Sequence, residues 1–189
     1  VKDYILSLED NFKIQQLRRE RGLKADSPSM HMIFTGNPGT GKTTVARIVS
    51  RYLKAIGVLQ GGQLVEVTRA DLVGQYVGHT APLTQKAIQS ALGGVLFIDE
   101  AYSLYRGKDE SFGLEAIDTL VKGMEDHRSD LIVILAGYSR EMEEFLQANS
   151  GLKSRFPNII EFPDYTAQEL WEITKSIVRG KGYRLAPSC

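Results

Sequence analysis

Helical and strand periods alternate along this chain. Val45, Ile48, Val49, Tyr52, Leu53 and Ile56 recur at i, i+3, i+4, i+7 spacing, which predicts a helix with one buried stripe, ended at Gly57. Leu114, Ile117, Leu120, Val121 and Met124 predict another. Tyr4, Ile5, Leu8, Phe12 and Ile14 predict an opening amphipathic helix to about Arg21, and Ser27-Pro28 breaks the chain after it. Between the helices lie short apolar runs at 30–35, 63–67, 95–98, 131–135 and 158–162. Those at 95–98 and 131–135 are apolar throughout, as central parallel strands buried on both faces are. Residues 71–76 read as a short helix or turn. A helix then starts with Thr80 as N-cap and Pro82 in its first turn, and Gly93-Gly94 stops it. A polar loop spans 106–111, and Ser139 caps a helix to about Ala148. Thr166-Ala167-Gln168-Glu169 is a capping box opening a helix to about Val178. The alternation predicts an α/β fold with a five-stranded parallel sheet and no internal repeat.

Composition bounds this picture without changing it. The 189 residues, 42% apolar and 24% charged, suit one globular domain with a sizeable core, or a domain and the start of another. Lys+Arg and Asp+Glu both number 23, so the net charge is zero and a nucleic-acid partner is disfavoured. The basic segment at 13–21 reads as a solvated helix face. The one cysteine, Cys189, can form no internal disulfide. With no run of 18 apolar residues and no signal peptide, no membrane association is expected and the cytoplasm is the default location. Val1 lies inside an apparent helix without an initiator methionine, and 184–189 follow a helix without closure. A piece of a longer protein is therefore expected.

The chemistry enters after the first strand. Gly36-Asn37-Pro38-Gly39-Thr40-Gly41-Lys42-Thr43 matches G-x-x-x-x-G-K-[ST], between an apolar strand and an amphipathic helix. Glycine lets backbone N–H groups wrap a triphosphate closely, and the helix beginning near Gly41 turns its positive end to the anion. Lys42 then reaches the β- and γ-phosphates, and the Thr43 hydroxyl binds Mg2+. Thr44 serves either the nucleotide region or helix packing. The run at 95–98 delivers Asp99 and Glu100 to the carboxyl edge, where open α/β sheets bind ligands. Asp99 would hold Mg2+, and Glu100 would orient and polarise the attacking water.

That second acid also separates nucleotide-binding classes. A small-molecule kinase needs no water-activating glutamate. A GTPase should carry N-K-x-D, which does not occur. Leu59-Gln60-Gly61-Gly62-Gln63 approximates an ABC-transporter signature but falls too early in the chain, and reads as a turn.

With these motifs placed, the chain resembles the AAA+ group of red-type Rubisco activase and stage V sporulation protein K (CbbX/CfxQ/SpoVK). The resemblance rests on residues 69–81, 94–102, 135–138 and 162–165, with 115–122 and 138–142 leaning to the sporulation branch. It implies a sheet of order 5-1-4-3-2, a large α/β subdomain over 1–163 and the start of a helical lid over 164–189. It implies ATP and Mg2+ as ligands, with Asn37, Pro38, Gly39, Thr40, Gly41, Lys42, Thr43, Thr44 and Tyr138 around the nucleotide. It implies a hexamer that threads a polypeptide past a pore loop, Tyr76-Val77-Gly78, whose flanking Gly74 and Gly78 suit a mobile, exposed aromatic. Tyr76 read without the resemblance could instead be a core residue. Arg155 aligns with the arginine finger, which serves the neighbouring subunit's nucleotide. Arg140 reads as structural, His79 as a local hydrogen-bonder, and Trp171 as packing on the large subdomain. Tyr138 departs from the polar sensor, often asparagine, that usually ends the fourth strand, although a phenol can still hydrogen-bond a water or phosphate. The adenine-contacting segment is expected to start upstream of Val1 and to be incomplete in this chain, and the lid's second sensor arginine is expected beyond Cys189. The competing expectation is a nucleotide-dependent switch or scaffold with little turnover.

Overall fold

A computed structural model describes residues 2–23, 29–107 and 109–184; Val1, the stretch 24–28 with its Ser27-Pro28 break, Lys108 and the stretch from Leu185 to Cys189 lie outside the described residues. The elements are α1 (Lys2–Glu20), β1 (Met32–Gly36), α2 (Lys42–Ala55), β2 (Leu64–Val67), α3 (Arg69–Leu72), α4 (Thr80–Ala91) and β3 (Val95–Ile98). A 3-10 turn (Ala101–Leu104) follows, then α5 (Ser111–Asp126), β4 (Ile132–Gly137), α6 (Ser139–Ala148), α7 (Ser150–Lys153), β5 (Asn158–Phe162) and α8 (Ala167–Gly180). The strands form one five-stranded sheet in the order β2-β3-β4-β1-β5, and every neighbouring pair is parallel. This is the expected 5-1-4-3-2 order.

Strand side chains alternate between faces. Met32, Phe34, Val95, Phe97, Ile132 and Ile134 face one core, closed by Ala46, Val49 and Leu53 of α2. Ile33, Leu96, Ile98, Val133 and Leu135 face the other, closed by α3 to α7 through residues such as Leu72, Ile88, Leu120 and Met142. The two central runs are apolar at every position because both faces are covered. At the close crossing of α4 and α5, a Cβ on Gly123 would stand 2.6 Å from Ile88 Cδ1.

Several local expectations are corrected. Thr80 does not cap α4: it is the first helical residue, fully buried, and its hydroxyl accepts from the Gly74 amide at 3.0 Å. Ser139 likewise begins α6, and Tyr138 takes the N-cap position without a side-chain cap bond. Ile48 lies outside the buried stripe of α2, 56% exposed. In α1, Ile14 is exposed and the helix is tied to α2 by the Tyr52 hydroxyl, which donates to Glu9. Of its basic segment, Lys13, Arg18 and Arg21 are exposed, and Lys13 pairs with Glu9 one turn away. Trp171 is not packed on the sheet domain; it is 41% exposed, with Lys175 Nζ 5.7 Å from its ring centroid, and α8 has no buried residue. The expected capping box is present: the Thr166 hydroxyl accepts from the Glu169 amide at 3.2 Å, and Glu169 accepts from the Thr166 amide at 2.8 Å. Leu59, Gly61 and Gly62 form a turn whose two glycine amides share the Gly93 carbonyl, as read from the sequence. Arg140 makes an exposed ion pair with Glu144 at 3.1 Å.

His31, just before β1, is 8% exposed, and its Nδ1 accepts from the Val133 amide at 3.0 Å. Burial pushes its pKa down to about 4. The unfolded chain takes up this proton near pH 6.5 and the folded chain only near 4, so stability is full above pH 6.5 and falls as pH drops to 4. The expected loss is on the order of 3 kcal/mol in urea titrations between pH 7 and 4. A glutamine side chain at this position could still accept from the Val133 amide but cannot titrate. His31→Gln should therefore lose this part of the pH slope, and equal slopes in both proteins would sink the assignment.

Candidate functional site

The carboxyl ends of β1, β3 and β4 open into a cavity of about 380 Å³. Its lining includes Pro38, Gly39, Gly41, Lys42, Thr43 and Thr44 from the glycine loop and α2, and Asp99 and Glu100 after β3. Tyr102, Gly137 and Tyr138 complete it. The two motifs, one ending at Thr43 and the other beginning at Asp99, thus share one site, because β1 and β3 flank β4 in the sheet.

The loop is shaped by its glycines and held by its own backbone. Gly39 and Gly41 have φ of 74° and 90°, which only glycine adopts without strain. A Cβ on Gly36 would stand 2.4 Å from the Phe162 carbonyl oxygen, so β5 packs too closely for any other residue. The Thr40 hydroxyl donates to the Asn37 carbonyl at 2.8 Å. Lys42 Nζ donates to the carbonyls of Gly36 at 2.7 Å and Asn37 at 2.8 Å. Partial burial lowers the Lys42 pKa, and the nearby Asp99 charge opposes that shift.

Asn37 and Thr40 do not line the cavity; they anchor the loop. Asn37 Nδ2 donates to both oxygens of Asp164, at 2.9 and 3.0 Å. The Tyr165 hydroxyl donates to the Thr40 carbonyl at 3.0 Å. Asp164 and Tyr165 therefore strap the loop from the segment after β5. No role for them was drawn from the sequence, although the stretch 162–165 was conspicuous there. Thr44, ambiguous in sequence, is exposed and lines the cavity.

Glu100 is the only non-glycine residue with positive φ among the described residues, at φ 48° and ψ 45°. Such backbone costs roughly 1–3 kcal/mol and persists only where surrounding structure imposes it. Here the Glu100 amide donates to Asp99 Oδ1 at 3.0 Å, and the 3-10 turn begins immediately after. The chain thus turns sharply at the strand end and leaves the Glu100 side chain exposed at the cavity.

The remaining predicted residues lie elsewhere. Tyr76 and Val77 are 67% and 86% exposed on a loop whose base is closed by the bond from Gly74 to Thr80. Gly78 has φ 81°, and Tyr76 meets His79 edge-on at 5.5 Å. Arg155 sits at the amino ends of the strands, since its carbonyl accepts from the hydroxyl of Ser29, which precedes β1. That is the opposite edge of the sheet from Lys42. Its guanidinium pairs with Glu125 and donates to the Gly151 carbonyl at 2.7 Å. Glu125 is a partner that no sequence signal marked. Nor was the link between Arg69 and Glu110 at 2.8 Å, which ties α3 to the start of α5, where Glu110 accepts from the Gly113 amide.

A phosphate-type loop facing an acidic pair across the carboxyl edge of this sheet defines a nucleotide-binding P-loop domain. The chain belongs to the ATPase family associated with various cellular activities (AAA), whose model matches residues 32–164. Within that family it is similar to proteins of the CbbX/CfxQ/SpoVK group. It is 56% identical to stage V sporulation protein K of Bacillus subtilis (strain 168) over 173 residues, covering 92% of this chain and 54% of that protein. It is 50% identical to protein CbbX of Cereibacter sphaeroides over 188 residues, 99% of this chain and 61% of that protein. It is 49% identical to protein CfxQ of Xanthobacter flavus, covering 99% of this chain and 59% of that protein. The chain thus spans little more than half the length of these relatives. Its fold is similar to the AAA domain of FIGL-1 in complex with ADP, with a TM-score of 0.62 at 20% identity over 86% of this chain and 53% of that one. No described helix is long and apolar enough to cross a membrane.

Proposed function

We propose that this chain is the ATP-binding and ATP-hydrolysing core of a hexameric ATPase that remodels a protein partner, close to stage V sporulation protein K. The observation that carries the reading is the convergence of Lys42, Thr43, Asp99 and Glu100 on one cavity. Lys42, now bonded to loop carbonyls, exchanges them for β- and γ-phosphate oxygens. Mg2+ suits the site, because the Thr43 hydroxyl and Asp99 carboxylate are hard oxygen donors on the same cavity. No cluster of three or more His, Cys, Asp or Glu exists among the described residues, and an ion bound mainly through phosphates and water needs none. When bound it would draw charge from the transferring phosphoryl group. Glu100 accepts a proton from the attacking water and orients it in line.

Arg155 is assigned to the neighbouring subunit's nucleotide, and its place at the far edge of the sheet supports a role in trans. The exposed Tyr76-Val77-Gly78 loop supports a grip on an extended polypeptide in a hexamer pore. Residues 1–163 form the large subdomain and 164–189 begin the lid. Leu170, Trp171 and Ile177, exposed on α8, support packing against further lid helices. One observation favours a second reading, a switch with little turnover: Arg155 is paired with Glu125 within its own chain. Hydrolysis measured across protein concentration separates the two. Specific activity that rises steeply with concentration is expected for a site completed in trans; specific activity flat at every concentration would count against it.

A further inference from the structure

Tyr102 lines the same cavity as Lys42, Asp99 and Glu100. It belongs to the 3-10 turn that starts after the strained Glu100, and the Ser103 amide fastens that turn to the Glu100 carbonyl at 2.8 Å. Its ring lies over the end of β4. A Cβ on Gly137 would stand 2.8 Å from both Tyr102 Cδ1 and Met142 Sδ, so that strand end must be glycine for the ring to settle there. Beyond Gly137 the ring stacks on Tyr138, with centroids 5.8 Å apart and planes at 29°. Tyr138 also lines the cavity, and its hydroxyl makes no cap bond to α6. Burial, and then the Glu100 charge, pushes the Tyr102 phenol up to about 12, so the ring stays neutral between the carboxylates.

We propose that Tyr102 is a positioning residue: stacked across Gly137, it holds the Tyr138 phenol in the nucleotide cavity, where that phenol tells ATP from ADP. This rests on the ATPase reading above for the identity of the nucleotide. A neutral O–H is a donor to a γ-phosphate oxygen, and ADP offers no such oxygen at that place. A side chain that only filled space would affect both nucleotides alike. The stack alone would be kept by phenylalanine at 102, whereas the donor at 138 would not.

The test is competition binding of ATP and ADP to the assembled protein in a Glu100→Gln background, where ATP should persist. Tyr138→Phe and Tyr102→Ala should each lower the preference for ATP over ADP by about tenfold, the size of one lost hydrogen bond, with ADP affinity within about twofold. Tyr102→Phe should keep the preference. The double variant Tyr102→Ala/Tyr138→Phe should be no worse than either single one, because both changes remove one interaction. An unchanged preference in Tyr102→Ala, an equal loss in Tyr102→Phe, parallel losses of ATP and ADP, or multiplied losses in the double variant would each overturn the proposal. Turnover of the unmodified protein is measured beside it. Binding without turnover would remove the hydrolysis reading and leave the Tyr102 result standing. A protein that bound neither nucleotide would remove both.

Discussion

Glu100→Gln is expected to keep ATP affinity within a few-fold and to lower kcat by at least about 100-fold, the usual contribution of a positioned general base. The amide side chain preserves size and hydrogen bonding but cannot take a proton from water. Two features make this a clean substitution. The Glu100 side chain is exposed at the cavity, so the fold does not depend on its charge. The left-handed backbone is imposed by the turn and by the bond from its amide to Asp99, neither of which involves its carboxylate. Stopped-flow binding with a fluorescent nucleotide and a steady-state phosphate assay check both halves. Turnover near that of the unmodified protein would remove Glu100 from the mechanism and leave Asp99 as the acid to examine.

Arg155→Ala is expected to lower kcat by roughly 1,000-fold under assembling conditions, the lower end of what an arginine finger contributes. Nucleotide affinity of the isolated chain should not change, because Arg155 lies at the opposite edge of its own sheet. The pair with Glu125 is partly exposed, so its loss should cost no more than about 1 kcal/mol of stability. Mixing decides whether the arginine acts in trans. Arg155→Ala subunits retain Glu100, and Glu100→Gln subunits retain Arg155. Mixed rings therefore contain some complete sites, and the mixture should recover activity that neither variant has alone. No recovery, in rings shown to be mixed, would refute action across the interface.

The order of strands and helices was legible because each core face needs its own period. The runs at 95–98 and 131–135 are apolar throughout, since α2 covers one face of the sheet and α3 to α7 the other. The glycine loop was legible for a different reason: wrapping phosphate with backbone amides demands glycine at set positions, independent of the rest of the fold. Helix starts were less so. Thr80 has the right side chain for a cap, but a nearby buried amide, that of Gly74, claimed its hydroxyl. Ile48 and Trp171 have the right hydrophobicity for burial, yet they remain 56% and 41% exposed.

What the sequence alone determined, then, was the α/β class, the phosphate loop and the acidic pair, because each is a local pattern with its own chemical cause. Tertiary structure decided the rest. Crossover of the strands brought Lys42 to Asp99, and close packing of β5 strapped Asn37 to Asp164. The stack of Tyr102 on Tyr138 and the distance of Arg155 from its own cavity follow from contacts between residues far apart in the chain. Such contacts depend on which surfaces meet, and no spacing along one segment encodes that.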